Sequence, residues 1–138
     1  QARHHMSGLP VRAAMITQFD VLDSAQPLQA ALDRLLAGSQ EEFPVAENGE
    51  ILGVLTRADL LRALQAGGPG VPVGQAVTRF TDVADHGEPL EEALRRMRER
   101  RLGALPVVSA GRLVGLITIE NVSELLLVQD ALEKRRPS

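Results

Sequence analysis

The chain has 138 residues, a net charge of −3 and an apolar fraction of 44%, which is enough for a folded core. It contains no Cys, which excludes disulfides, a thiolate nucleophile and cysteine-ligated zinc. A negative net charge does not favour binding to nucleic acid. No apolar run approaches the roughly 18 residues that a membrane-spanning helix needs. We therefore expect a globular protein without a nucleic-acid partner and without direct membrane contact.

The two ends of the chain have patterns of their own. Residues 1–8 read QARHHMSG and lack periodicity, and we predict that they are the remnant of an expression tag. On that interpretation the chain is a fragment cut from a longer protein. Residues 133–138 are predicted to be a basic tail, because Lys134, Arg135 and Arg136 suit the C-terminus of a helix.

Between these ends, one unit occurs twice. A shift of 62 positions, the separation of Pro44 from Pro106, superposes the two halves without a gap. We predict two domains, residues 9–70 and 71–132, that arose by duplication. The matched residues at turn and core positions include the following pairs: Val11 and Val73, Asp20 and Asp82, Pro27 and Pro89, Leu32 and Leu94, Gly49 and Gly111, Gly53 and Gly115, Thr56 and Thr118.

The first copy begins with a short leading strand, followed by a helix after Pro27 whose leucines recur at helical spacing. A strand over residues 43–46 comes next, then a turn at Asn48-Gly49. A further strand over residues 51–55 leads into a helix that opens at Thr56 and ends at the glycines from residue 67 onward.

The second copy repeats this order. It predicts a helix after Pro89, a strand over residues 105–108, a turn at Ala110-Gly111, a strand over residues 113–117 and a helix from Thr118 to about Leu132. The fold class is therefore α/β (α+β), with a duplicated β-α-β-β-α unit. Because one such unit cannot cover its own sheet, we expect the two units to pack sheet to sheet as a pseudo-twofold module.

A heptad with a glycine, a threonine and a polar residue occurs in both copies, as GVLTRAD at residues 53–59 and GLITIEN at residues 115–121. A threonine between a strand and a helix, with an acidic residue three places later, predicts a capping box. The same geometry suits a nucleotide. The helix N-terminus and the Thr56 hydroxyl can hold a phosphate, Asp59 can accept from two ribose hydroxyls, and Gly53 permits close backbone approach.

With its h-P-V strands, its Asn48-Gly49 and Ala110-Gly111 turns and its two heptads, the chain resembles a tandem pair of CBS domains, also called a Bateman module. The resemblance runs from about Val11 to Leu132. It implies CBS-type units that bind adenine nucleotides in clefts between them and regulate an attached protein. The nucleotide-binding residues that it implies are Thr56, Asp59, Thr118, Asn121, Thr17, Phe43, Pro44, Phe80, Leu105 and Pro106.

In that family Asp is the standard residue at the position of Asn121. Because Asn lacks the charge that strengthens a hydrogen bond to ribose, we expect the site of Asp59 to be the better one. The resemblance implies AMP, ADP, ATP or S-adenosylmethionine as a regulatory ligand, with no required cofactor. The alternative is a ligand-free scaffold for dimerisation or other interactions, and a homodimer of CBS pairs is expected.

Other residues carry weaker signals. A cluster of arginines, Arg95, Arg96, Arg98, Arg100 and Arg101, is interleaved with Glu91, Glu92 and Glu99 and predicts a solvated helix face, or else a contact for phosphate or an acidic partner. His86 is the only histidine outside the predicted tag, so we predict no metal site. No nucleophile, base and acid are arranged for catalysis, and we predict that this fragment is not an enzyme.

Two stretches, AGSQEEFPV at residues 37–45 and TIENVSELLLVQDAL at residues 118–132, resemble the C-terminal CBS pair of site-2-type intramembrane zinc metalloproteases (M50-like). The HExxH helix of those proteases is absent from this chain. This resemblance implies a regulatory appendage on the cytoplasmic side of an integral membrane protease, which would be the attached parent protein.

Overall fold

The computed structural model describes residues 8–38, 40–79 and 82–135. Within these ranges the chain forms five α-helices and two β-sheets, a mixed α/β architecture built on a duplicated unit. The predicted fold class is confirmed in these respects. The packing of the two units sheet to sheet stays a prediction.

The chain divides into two compact units whose boundary differs from that of the sequence repeat. The central unit comprises residues 18–82, and the terminal unit comprises residues 1–17 together with residues 83–138. In the repeat, residues 9–17 open the first copy and residues 71–79 open the second. In the structure, each of these leading segments packs into the compact unit that holds the body of the other copy.

The central unit contains a four-stranded sheet and three helices. Its elements are β1 (Leu22–Asp23), α1 (Leu28–Leu36), β2 (Phe43–Glu47), β3 (Glu50–Leu55), α2 (Arg57–Gly67), α3 (Val73–Ala76) and β4 (Thr78–Arg79). The sheet order is β1-β2-β3-β4, with β1 parallel to β2 and the other neighbours antiparallel. Asn48 and Gly49 both have positive φ, at 51° and 82°, as the tight turn between β2 and β3 requires.

The terminal unit follows the same plan with a three-stranded sheet. Its elements are a 3₁₀ turn (Val11–Ala13), β5 (Ala84–Asp85), α4 (Leu90–Arg100), β6 (Ala104–Ser109), β7 (Arg112–Thr118) and α5 (Ile119–Arg135). The sheet order is β5-β6-β7. In place of a fourth strand, Ile16 makes an isolated antiparallel bridge to Leu116. The last helix extends to Arg135 and so includes the start of the predicted basic tail.

Aliphatic side chains supply nearly all of the core, as the scarcity of aromatic residues predicts. In the central unit, Leu28, Leu55 and Leu60 are fully buried in one cluster with Phe43. In the terminal unit, Leu90 is likewise fully buried. Buried leucines therefore attach α1, α2 and α4 to the core, and each buried Leu contributes about 1.5–3 kcal/mol relative to an exposed one.

The glycine of each heptad lies where a leading segment packs closely against the sheet. A Cβ added to Gly53 would overlap the backbone carbonyl oxygen of Thr78, because β4 pairs with β3 at this point. A Cβ added to Gly115 would instead overlap the side chain of Met15. The close backbone approach expected for a ligand at Gly53 is thus made by the chain itself.

Two arginines of helix α4, Arg95 and Arg96, form ion pairs with glutamates. Arg95 bonds Glu92 and Glu99 along the exposed face of the helix. Arg96 binds both carboxylate oxygens of Glu88, at 2.7 and 2.9 Å, and this pair is about four-fifths buried. The contacts of Arg95 are those expected of a solvated helix face.

We predict that Gly53→Ala destabilises the protein by about 1–3 kcal/mol, because β4 must move to make room for a Cβ. Gly115→Ala should cost less, since the flexible Met15 side chain can move instead of a backbone. Urea unfolding of the two variants measures both values. Gly70→Ala is the control, because an added Cβ meets nothing within 4 Å there. Equal losses of stability in Gly53→Ala and Gly70→Ala would show that the close approach of β4 to Gly53 is not the cause.

A second prediction concerns acid stability. The hydrogen bonds from Arg96 hold the pKa of Glu88 below its ordinary value of 4.5. The ionised form is therefore favoured in the folded state. The stability that it contributes is present above about pH 4.5 and is lost as the pH falls through the lower, folded-state pKa.

Glu88→Gln should remove about 1.5–3 kcal/mol at neutral pH and flatten the acid loss of stability. Urea unfolding between about pH 3 and pH 7 measures both effects. Glu91→Gln, a change at an exposed residue in the first turn of α4, serves as the control. An acid profile in Glu88→Gln as steep as in the unmodified protein would refute this assignment.

Candidate functional site

The first predicted site lies where β3 ends and α2 begins. Thr56 is the N-cap residue in extended conformation, and its hydroxyl oxygen accepts from the backbone N–H of Asp59 at 3.1 Å. The Asp59 carboxylate accepts in return from the backbone N–H of Thr56 at 3.4 Å. The predicted capping box is therefore present. The Thr56 hydroxyl still has its own hydrogen to donate.

The Asp59 carboxylate has further partners and is only 9% exposed. Oδ2 also accepts from the hydroxyl of Thr78 at 3.2 Å, and Oδ1 accepts from the Arg62 guanidinium at 3.1 Å. The Arg62 side chain is 73% exposed, so this ion pair contributes at most about 1 kcal/mol. One of the partners of Asp59 can consequently be exchanged at little cost.

The second predicted site has the same cap but a different third residue. Thr118 immediately precedes α5, and its hydroxyl oxygen accepts from the backbone N–H of Asn121 at 3.1 Å. The Asn121 side-chain amide donates to the backbone carbonyl of Ala14 at 2.9 Å. A carboxylate has no hydrogen to donate, so Asp could not make this bond. The departure at Asn121 therefore has a structural reason.

The residues of the leading segments match this difference. Thr78, which donates to Asp59, corresponds by the 62-residue shift between Pro44 and Pro106 to Ile16, which has no hydroxyl. In the terminal unit the leading segment instead offers the Ala14 carbonyl as an acceptor. Each polar residue thus suits the group that its leading segment presents.

A groove extends along each of these two helices from its first turn. In the central unit it encloses about 400 Å³, and in the terminal unit about 250 Å³. The lining residues of the larger groove are Asp59, Arg62, Ala63, Ala66, Gly67, Val71, Gln75 and Ala76. Those of the smaller groove are Ala13, Ala14, Met15, Asn121, Glu124, Leu125 and Val128.

The remaining predicted contacts lie in the sheets, in the leading segment of the terminal unit or outside the described residues. Phe43 and Leu105 are fully buried in β2 and β6, and the prolines that follow them, Pro44 and Pro106, are buried too. Thr17 is exposed in the terminal unit. Phe80 lies outside the described residues. The roles of these residues toward a ligand stay predictions.

Sequence reasoning did not assign Arg62 and Gln75 to the site and did not identify Thr78 as a partner of Asp59. The 62-residue shift carried a signal for two of them. It aligns Arg62 of the first copy with Glu124 of the second, and Gln75 of the second copy with Ala13 of the first, so each of these polar residues has a counterpart of opposite charge or without a polar side chain. The contact of Thr78 with Asp59 depends on the pairing of β4 with β3, which becomes visible only in the structure.

Within residues 8–38, 40–79 and 82–135, no group of three His, Asp or Glu side chains could hold a metal ion. Over the same part of the chain, no helix has the length and apolarity needed to cross a membrane.

We predict that Asn121→Asp destabilises the protein by about 1–3 kcal/mol, because the Ala14 carbonyl loses its donor and then faces a carboxylate. A negative charge in the first turn of α5 should by itself stabilise the helix by about 0.3–1 kcal/mol. The sign of the change in urea unfolding therefore decides which effect is larger. Asn121→Ala, which removes the donor without adding charge, is the control. A gain in stability for Asn121→Asp would show that the bond to Ala14 contributes little.

Comparison with known proteins identifies the family to which this architecture belongs. Residues 3–66 and 72–128 each match the CBS domain family. An uncharacterized protein of Methanocaldococcus jannaschii is 30% identical over 119 residues, and the match covers 85% of this chain and 42% of that protein. The CBS domain-containing protein YhcV of Bacillus subtilis is 27% identical over 115 residues, which is 82% of each chain.

Among solved structures, the crystal structure of CBSX2 in complex with AMP superposes with a TM-score of 0.72. The two sequences are 28% identical, and the superposition covers 94% of this chain and all (100%) of that one. Two family matches cover most of the sequence, and the structural similarity extends over nearly the same range. The chain therefore belongs to the CBS-domain family, as a tandem pair of CBS domains.

Proposed function

We propose that this chain is a regulatory module that binds an adenine nucleotide at the start of α2 and thereby controls a protein attached to it. The observation that carries the proposal is the Thr56 and Asp59 capping box, with its buried carboxylate beside a groove of about 400 Å³. A groove of this size falls within the range of small-molecule sites.

The phosphate would bind at the N-terminus of α2. The first N–H groups of a helix have no acceptor within the helix, and Arg57 and Ala58, which supply them here, are exposed. The Thr56 hydroxyl would donate its hydrogen to the same phosphate, because its oxygen already accepts from Asp59. An anion is favoured at this end of a helix, where the partial charge is positive.

The ribose would bind Asp59 by exchange. A carboxylate has about four lone-pair positions, and Thr56, Thr78 and Arg62 use three of them. A ribose hydroxyl would take the position of the exposed Arg62, and a second hydroxyl would take the remaining position. A hydrogen bond to a charged group contributes about 1.5–3 kcal/mol, more than the exposed ion pair that it replaces.

The similarity to CBSX2, which was crystallised with AMP, supports an adenylate as the ligand. AMP, ADP, ATP and S-adenosylmethionine share the adenosine that this site would recognise. We propose such a compound as a regulatory ligand and not as a required cofactor, with no catalytic role for the chain itself.

Control of the attached protein would follow from population shift. A ligand that binds one conformation of the pair more tightly raises the population of that conformation, and the attached protein responds to the change. The M. jannaschii relative is more than twice the length of its match to this chain, which agrees with attachment to further protein. That the attached protein is a site-2-type membrane metalloprotease, with this module on the cytoplasmic side, stays a hypothesis based on residues 37–45 and 118–132.

The second candidate function is a ligand-free interaction scaffold, for example in a homodimer. The C-terminal half of α5 favours it, because Leu127, Val128 and Leu132 are 67%, 51% and 57% exposed. An apolar helix face of this kind can bury against another protein surface. In a scaffold, the partners of Asp59 would be permanent structural contacts.

Ligand binding separates the two candidates. A nucleotide that binds the folded state raises the melting temperature, by an amount that grows with its concentration relative to Kd. We expect a concentration-dependent rise with at least one of AMP, ADP, ATP and S-adenosylmethionine in differential scanning fluorimetry. The scaffold predicts no rise at millimolar concentrations of all four.

The site is then tested by titration calorimetry with the ligand that binds. Asp59→Ala should weaken binding by about tenfold or more, because it removes the acceptor of the ribose hydroxyls. Asn121→Ala is the matched control in the other copy and should change the affinity little. A larger loss from Asn121→Ala would reverse the ranking of the two sites.

A further inference from the structure

The turn between β2 and β3 consists of an asparagine followed by a glycine, Asn48-Gly49, and both residues are exposed. An asparagine side chain can lose its amide group when the backbone nitrogen of the next residue attacks the side-chain carbonyl carbon. Glycine favours this reaction as the next residue. It has no Cβ to shield its nitrogen or to restrict the backbone rotation that brings the two groups together.

The two groups that would react in this turn are free. Among the described residues, neither the side-chain amide of Asn48 nor the backbone N–H of Gly49 makes a hydrogen bond. A Cβ added to Gly49 would meet nothing within 4 Å, so the space around this part of the backbone is open. The conformation of the turn itself is therefore the main obstacle to the reaction.

The end of this hairpin is built to open. The tight turn holds Asn48 and Gly49 in the left-handed region, at φ values of 51° and 82°, and this conformation must relax before the two groups can meet. The strand pair next to the turn is Glu47 with Glu50, two exposed glutamates that lie directly opposite each other. Like charges at directly opposed positions destabilise a β-ladder. The pair that should close the turn thus favours its opening.

The corresponding turn of the second copy lacks these features. It consists of Ala110-Gly111, with nearly the same φ values of 52° and 79° but without a side-chain amide. Its closing pair is Ser109 with Arg112, which do not repel each other. The backbone geometry is therefore shared by the two copies, whereas the reactive amide and the repulsion belong to the first copy alone.

From these observations we propose that Asn48 is a site of spontaneous deamidation, with water as the only reactant taken from solution. The nitrogen of Gly49 forms a bond to the side-chain carbonyl carbon of Asn48 and gives up its proton. The bond from that carbon to the amide nitrogen breaks, and the leaving group takes up a proton and departs as ammonia. Water then opens the resulting five-membered cyclic imide at one of its two carbonyls, which yields aspartate or isoaspartate.

Either product weakens the hairpin. Both products add a carboxylate beside Glu47 and Glu50, so three negative charges meet at the end of one ladder. Isoaspartate in addition routes the main chain through the former side chain, which makes the turn longer than a two-residue hairpin allows. The protein therefore loses stability at the β2–β3 hairpin as its chains are converted. The reaction needs no nucleotide, so it is independent of the proposed function.

Peptide mapping by mass spectrometry tests the proposal on the full chain, incubated folded in mildly alkaline buffer. Trypsin separates the two asparagines of the protein, since residues 35–57 contain Asn48 and residues 113–134 contain Asn121. We expect the first peptide to gain about one dalton at least about tenfold faster than the second, with isoaspartate among its products. Asn121 is the internal control, because its amide donates to the Ala14 carbonyl at 2.9 Å and the next residue, Val122, is buried and β-branched.

Two variants exchange the chemistry of the turns. Asn48→Ala gives the first turn the Ala-Gly pair that the fold already accepts at residues 110 and 111, and it should abolish the mass gain. Ala110→Asn should create a second reactive site, which reacts more slowly than Asn48 because Ser109 and Arg112 do not repel each other. During the incubation, the melting temperature of the unmodified protein should fall, and that of Asn48→Ala should stay constant.

A parallel incubation in urea shows whether the folded hairpin opens. We expect Asn48 to react in the folded protein within about tenfold of its rate in urea, and Asn121 to be protected far more strongly by the fold. If Asn48 reacts only in urea, the turn does not open and the proposal is overturned. A mass gain without isoaspartate, or one that persists in Asn48→Ala, would overturn it as well. A constant melting temperature in converted protein would refute the effect on the hairpin.

Discussion

The hydrogen bond from the third helical N–H to a threonine hydroxyl is the contact on which each half of this protein depends. It occurs at Thr56 and again at Thr118, in both cases at the point where a strand becomes a helix. Because the bond fixes the direction in which the helix leaves the sheet, it also fixes which residues of the first turn face the leading segment. Asp59 and Asn121 reach their partners for this reason. The cap is thus structural in both copies, and any ligand chemistry is added to it.

The two copies have diverged at the residues around this shared cap. In one, a carboxylate accepts from a hydroxyl and a guanidinium, and in the other, an amide donates to a carbonyl. Each arrangement is satisfied internally, and no buried side-chain nitrogen or oxygen lacks a partner among the described residues. The two arrangements differ in whether the polar side chain can give up one of its hydrogen-bond partners. The partner of Asn121 is a backbone carbonyl, whereas one partner of Asp59 is an exposed side chain that water can take over. A duplicated fold can in this way keep one copy rigid and leave the other able to exchange partners.

Much of this arrangement could be predicted from sequence because it is local. The helices after Pro27 and Pro89, the hairpin turns at Asn48-Gly49 and Ala110-Gly111 and the capping box depend on residues a few positions apart. The assignment of the leading segments could not be predicted, because α2, a loop and α3 lie between β3 and β4 in the chain. The pairing of β4 with β3 also explains why residue 53 is a glycine, which the periodicity of the sequence cannot explain. Gln75 escaped notice for a related reason, since α3 brings it to α2 only in the folded chain.

The exchange proposed at Asp59 would also bound the affinity that this site can reach. A ligand gains hydrogen bonds to a carboxylate that is already bonded, so its net gain is the difference between new and displaced contacts. A ligand in the groove would contact alanine and valine side chains, and the chain has no Tyr or Trp to stack on a base. Both factors favour moderate affinity and fast release over tight retention. A regulatory module needs this balance, because a ligand that never leaves cannot report a change in its own concentration.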